Sequence, residues 1–251
     1  MENSADTPKV SLDSVPFLPV MSKPSNYPLS WAGEGHQLMC GRDLMVHSIS
    51  RKYSNENNGV IAGSQAVFVN ENSECGCGIV NNKVQDALKI RAKPSCNEVI
   101  CHLKELIQTS KTLTTTEDLK KWIDRMCQQI YKYFDEKQSE EEIKCIKGLA
   151  KLPCIWTGKN FLHIHVLAKK WNLNGPYMYQ VPSILSLRRN LCKVLEVKED
   201  FTKEDVETAL KQMKQDFGEE PVDEASQHLL KALVSYPVSY THLTLPTIYS
   251  V

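Results

Sequence analysis

Cys75-Gly76-Cys77 sets two thiols two positions apart around a glycine. Far along the chain, His163 and His165 sit in the alternating run FLHIHV, so on a strand both imidazoles face the same way. Two thiolates and two imidazoles form the donor set of a tetrahedral zinc site. Cys75, Cys77, His163 and His165 are therefore the candidate metal ligands. Their spacing matches no established zinc finger, and a glycine-rich turn beside a half-exposed strand accounts for the same residues. No metal is assigned on this pattern. Cys101-His102 offers a thiol beside a base. Neighbours on a helix point in different directions, and nothing near Cys101 in sequence would lower its pKa. Gly41-Arg42-Asp43, Arg188-Arg189 and the run from Lys193 to Asp200 carry charge, read as solvated faces. The chain has no phosphate-binding glycine loop, no dinucleotide fingerprint and no nucleophile elbow. The expectation is a non-enzymatic chain with no catalytic residue and no cofactor of its own.

The elements that must position these residues fall into two kinds. Residues 1–14 are polar, an expected disordered N-terminus. Val15 to Met21 carries Pro16 and Pro19, which predicts an edge strand or extended segment. Leu38 to Val46 and Val60 to Val69 read as strands separated by a polar loop. The period then changes. Val84, Ala87 and Leu88 suit a short helix, and Ser95 with Glu98 fits a capping box opening a helix whose buried stripe is Val99, Leu103, Leu106 and Ile107. Leu119, Trp122, Ile123, Met126, Ile130 and Phe134 give a long amphipathic helix, and Ser139 to Leu149 a further charged one.

Leu152 to Pro182 is a second β-rich stretch, holding Trp156 and Trp171, which like Trp31 are expected in the core. Leu187 to Leu195 is helical, Thr202 caps a helix with the stripe Val206, Ala209, Leu210, Met213 and Phe217, and a last helix begins after Pro221. A shift of 107 superposes Val84 on Leu191, Leu88 on Leu195, Ile90 on Val197, Ser95 on Thr202, Glu98 on Asp205 and Leu103 on Leu210 without a gap. The expected fold is α+β: two similar units, each a β-rich piece followed by a helical piece, at 15–110 and 151–236, joined by a helical connector at 111–150. Residues 237–251 match nothing else in the chain and resemble an adapter-derived read-through tail, which is left out of the fold expectation.

Composition bounds the function. The chain has 251 residues, 41% hydrophobic and 24% charged, with a formal net charge of zero, so its totals show no footprint for nucleic acid or anionic membrane. No run of eighteen apolar residues occurs, which excludes membrane insertion by a helix from the expectations. The N-terminus is not a signal peptide, and nine scattered cysteines read as reduced thiols of a cytoplasmic protein.

Leu152 to Gly158 (LPCIWTG), Trp171 to Tyr177 (WNLNGPY), Phe201 to Met213 (FTKEDVETALKQM) and the earlier runs VPFLPVMSKPSNYPLSWAG and CGIVNNKVQDALKIRAKPSCNEVICHLKEL resemble, in this order, the repeated regions of the sacsin family. The resemblance covers residues 15 to about 235. It implies a very large cytosolic chaperone or co-chaperone, with a ubiquitin-like domain, three long repeats opening on GHKL-type ATP-binding modules, a J domain and a HEPN domain. ATP and Mg are implied only for those ATPase modules. Neither the GHKL motifs nor the J domain's His-Pro-Asp tripeptide stands in this chain. The expectation is a non-catalytic scaffold or client-contact segment from the rear of one repeat. Its partners would be unfolded client proteins and, through the parent, an Hsp70-type chaperone. The alternatives are the metal-binding module and a helical interaction module built on Leu119 to Phe134.

Overall fold

The computed structural model describes residues 15–47, 58–70, 82–112, 116–218 and 220–235. Cys75 and Cys77, the N-terminal 1–14 and the tail 237–251 lie outside them. Very short strands alternate with longer helices. The first half holds β1 (Leu18–Pro19), β2 (Leu38–Met39), α1 (Asn58–Ala62), α2 (Asn82–Ala87) and α3 (Cys96–Thr112). Then come α4 (Glu117–Asp135) and α5 (Glu140–Lys147). The second half holds β3 (Ile155–Trp156), β4 (Phe161–Leu162), β5 (Leu167–Ala168), β6 (Tyr179–Gln180), α6 (Ser183–Ser186), α7 (Arg189–Val194), α8 (Lys203–Phe217) and α9 (Glu224–Ser235). The class is α+β, as the sequence predicts.

β1 and β2 pair antiparallel, and isolated bridges extend the ladder from Val20 to Val69, from Phe68 to Met45 and from Met45 to Arg91, the last two parallel. β1 is therefore not an edge strand. Pro19 is tolerated because its carbonyl accepts from Asn70 N at 2.8 Å while the neighbouring donors, Val20 N and Met21 N, point to Gln37 O and Phe68 O. In the second half β3 pairs antiparallel with β4, β5 pairs parallel with β6, and Ala168 also bridges Lys198 in parallel.

Three expected strands are broken. Leu38 to Val46 is cut by a 3-10 turn at Gly41–Asp43, where the backbone runs so close to Leu88 that a Cβ on Gly41 would lie 2.2 Å from its carbonyl oxygen. Val60 to Val69 begins instead as α1, because the buried Asn58 side chain donates to Val46 O at 2.7 Å and Ala92 O at 2.9 Å and pins that turn into the core. FLHIHV is not one strand: a 3-10 turn at Ile164–Val166 follows β4. Ile164 and Leu167 are both buried three positions apart, a spacing that suits a 3-10 turn as well as an alternating pattern suits a strand.

The helices follow their sequence signals. Ser95 N donates to Glu98 Oε2 at 2.7 Å and Glu98 N to Ser95 Oγ at 3.3 Å, the reciprocal bonds of a capping box, and the stripe from Val99 to Ile107 is buried. Thr202 and Asp205 close the same box on α8. Trp31, Trp156 and Trp171 are all core residues. α4 lies between the halves. It packs on α1 and α3 on one side and on α6 and α7 on the other. Its Tyr131 hydroxyl donates to Cys154 O at 2.7 Å and accepts from Trp156 N at 2.8 Å, and its Asp135 carboxylate accepts from Leu191 N at 2.8 Å. The largest core cluster runs from Tyr27 to Val197.

Local geometry repeats at the 107 offset beyond the apolar positions. α2 and α7, α3 and α8, and α4 and α9 each begin 107 residues apart. Lys89 and Glu196, both non-glycine, take left-handed φ of 54° and 56° after the first helix of each set. Arg91 pairs with Glu98, and Lys198 with Asp205. Thr116 accepts from Leu119 N at the start of α4, and Asp223 from Ser226 N at the start of α9. The strand side follows a different offset, 123: β2, the 3-10 turn at 41–43 and Met45 match β4, the turn at 164–166 and Ala168. The number of residues between the central strand and the short helix therefore differs between the two stretches.

Candidate functional site

The candidate ligands resolve into one observed pair. His163 and His165 have ring centroids 5.2 Å apart on the 3-10 turn after β4. His163 is half-buried and His165 exposed. Burial, then the charges of His163 and Lys198, hold the His165 imidazole below its usual pKa, with Asp205 opposing. Cys75 and Cys77 lie outside the described residues. Among the described residues no group of three or more His, Cys, Asp or Glu side chains is placed to hold a metal ion. His163 stands at the position Cys40 has in the first half, each preceding its 3-10 turn with φ near −73° (−72° and −74°).

Cys101 and His102 diverge, as neighbours on a helix must: Cys101 is exposed and His102 buried. His102 instead meets Ser64. Its Nε2 lies 3.1 Å from Val60 O, which can only accept, so Nε2 carries the proton and Nδ1 accepts from the Ser64 hydroxyl at 2.8 Å. Burial pushes the imidazole down to about 4, against the opposing pull of the Val60 bond and the Glu105 carboxylate. Burial alone would raise Glu105, but bonds from Ser30 and Ser64 and the proximity of His102 hold it below the usual carboxylate range. This network ties α1 to α3. Arg188 is half-buried and Arg189 exposed, on separate sides of the start of α7.

A groove of about 880 Å³ opens at the start of α4. Tyr27, Pro28 and Asn26 form one wall, and Thr116, Asp118, Leu119, Lys121, Trp122 and Arg125 the other. Trp122 is half-buried and meets Tyr27 edge-on at 5.6 Å, while the Arg125 guanidinium lies 5.5 Å over its ring. Tyr27 is fixed from behind by donating to Gly59 O at 2.9 Å and by Trp31 at 5.0 Å. Burial, with the Glu105 charge adding to it, raises the Tyr27 phenol well above its ordinary value. Asn26 holds the turn with a left-handed φ of 61°. Periodicity places Trp122 on α4, but KPSNYP reads only as turn residues. The aromatic and proline side by side, Tyr27-Pro28, were the available signal for the opposite wall.

The described residues form an α+β region with an aromatic groove at the start of α4. In sequence the chain is similar to sacsin of Homo sapiens, with 25% identity over 232 residues, covering 88% of this chain. The chain spans 5% of that relative's length. No protein-family model matches the chain. No solved structure matches it either. No helix among the described residues is long and apolar enough to cross a membrane.

Proposed function

We propose that this chain is a non-catalytic scaffold and client-contact segment of a cytoplasmic, sacsin-like chaperone or co-chaperone. The observation that carries the contact role is the Tyr27–Trp122 groove, an aromatic trough lined also by Pro28 and Leu119, with Asp118, Lys121 and Arg125 as its charged groups. Such a trough suits an extended apolar stretch of an unfolded chain: aromatic faces bury side chains of varied shape at little conformational cost. The scaffold role rests on α4, whose Tyr133 hydroxyl donates to Pro94 O of the first half while Tyr131 and Asp135 bond Cys154 and Leu191 of the second, so that it transmits their relative placement. ATP and an Hsp70-type partner belong, on this reading, to other parts of the parent protein.

The test is suppression of aggregation of a chemically denatured client by the purified chain, with and without ATP. The expected result is slowed aggregation that ATP leaves unchanged and that Trp122→Ala weakens at an unaltered unfolding midpoint. Arg125→Glu serves as a second groove variant. Client aggregation at the same rate with and without the chain overturns the proposal. A second reading, a metal-binding module, draws on the His163–His165 pair with Cys75 and Cys77. It requires stoichiometric zinc in the purified chain and a stability loss on chelation, and elemental analysis showing no zinc removes it.

A further inference from the structure

α4 packs on both halves, but on different parts of them: on α1 and α3 of the first, and on α6 and α7 of the second. In the second half α4 covers the β3–β4 hairpin and α7. Trp156 Nε1 donates to Asp124, Tyr131 bonds Cys154 and Trp156, and the α4 C-terminus receives Asn190 Nδ2 on the Asp135 carbonyl at 3.2 Å and Leu191 N on its carboxylate. Under that cover Ile155, Trp156, Leu191 and Cys192 are buried, and Phe161 stacks on Trp156 at 5.0 Å. Among the described residues no such helix lies across the corresponding surface of the first half. Leu38, at the position of Phe161, is 53% exposed, and Phe17 beside it is 38% exposed. Val84 and Gln85, at the positions of Leu191 and Cys192, are half-exposed. The strand pair and α2 rest on one core: Leu18, Leu88 and Ile90 share a cluster against which Met39 and Val84 pack.

We propose that the β1–β2 hairpin and the outer face of α2 form a docking surface for a helix of the α4 type, contributed by a preceding copy of the same unit. α7 shows how the site is filled, because the helix immediately before its half lies across it. The matching start of α9, 107 residues after α4, places the next helix of this type at the far end of the described chain. Charge complementarity points the same way. Lys83 is exposed where Asn190 meets the acidic C-terminal end of α4, and a cation is favoured at a helix C-terminus. The chain then acts as links of a linear array, each unit's last helix locking the next unit in register.

The probe is a fluorescent peptide spanning Thr116 to Glu136, lactam-bridged so that it is helical before binding, titrated onto the full chain. Saturable binding is expected, weakened about tenfold or more by Leu38→Asp and by Lys83→Glu and unchanged by Leu187→Asp, which alters the most exposed large apolar residue away from the site. A peptide carrying Asp135→Lys should bind the wild-type chain poorly and regain affinity for Lys83→Glu. Leu38→Ser, milder at an exposed position, guards against a folding defect. Failure of the bridged peptide to bind overturns the proposal. So does equal binding to wild type and Leu38→Asp, which would mean the peptide competes for the α7 surface instead. Neither outcome touches the client-contact reading, which rests on Trp122.

Discussion

Residues 82–112 and 189–217 are built with the same local devices and buried to different degrees. Each has a short helix, a left-handed residue, a bridge into a parallel ladder, an ion pair reaching the capping acid and a boxed long helix. Yet Leu191 and Cys192 are buried while Val84 and Gln85 at the same positions are half-exposed. Local geometry is thus set by caps and turns within each stretch, and burial by what lies across it. The capping acids behave alike. Burial alone would raise both Glu98 and Asp205, and hydrogen bonds from the cap residue and the basic partner outweigh it, holding both carboxyls low.

The hairpins offer the largest expected contrast. Trp156 is fully buried and bonded to Asp124, so Trp156→Ala should cost about 3–5 kcal/mol in denaturant unfolding. Leu38→Ala, on the hairpin that α4 does not cover, should stay within about 0.5 kcal/mol. Comparable losses at both sites would mean that the first hairpin is covered after all and would break the contrast.

A second difference is ionic. The first long helix buries His102 against Ser64 and Val60, whereas the position 107 residues later is Ala209. The folded imidazole, at about 4, lies below its unfolded value, so the unfolded chain binds the extra proton between pH 6.5 and 4. Stability should therefore be full above pH 6.5 and fall through that window, by on the order of 3 kcal/mol. His102→Gln should flatten this part of the profile while lowering stability throughout, because Ser64 and Val60 lose a matched partner. Unfolding midpoints measured from pH 7.5 to 4 decide it: a wild-type profile flat across the window would show that His102 is not held neutral by burial.

The helices were legible because their signals are local. Ser95-Glu98 and Thr202-Asp205 close within three residues, and the α4 stripe repeats over about four turns of sequence. The strands were not, because their limits are set from a distance. Gly41 turns where Leu88 leaves no room, α1 is fixed by Asn58 reaching Val46 and Ala92, and Pro19 sits inside a ladder whose partner lies fifty residues on. The groove was half legible for the same reason: Trp122 announces itself on α4, while Tyr27 and Pro28 arrive from a turn with no periodicity to read.

The smallest effect tests the repeat most directly. Ile90 N reaches back to Gln85 O and Lys89 N to Asp86 O; Val197 N reaches Cys192 O and Glu196 N Lys193 O. Both are the two-bond helix ending in which glycine usually occupies the left-handed position. A side chain there costs about 1–2 kcal/mol, and glycine gives back about 0.5–1 kcal/mol of that through the freer unfolded chain. Lys89→Gly and Glu196→Gly should therefore each stabilise by roughly 0.5–1 kcal/mol. Glu196 also faces Lys147 of α5 at 3.5 Å, and losing an exposed pair costs about 0–1 kcal/mol, which trims the gain there. Stabilisation by both glycines in paired denaturant titrations would show the same turn at work in the two stretches. Destabilisation by either glycine would show that the left-handed residue is held by side-chain contacts and that the shared φ is coincidental.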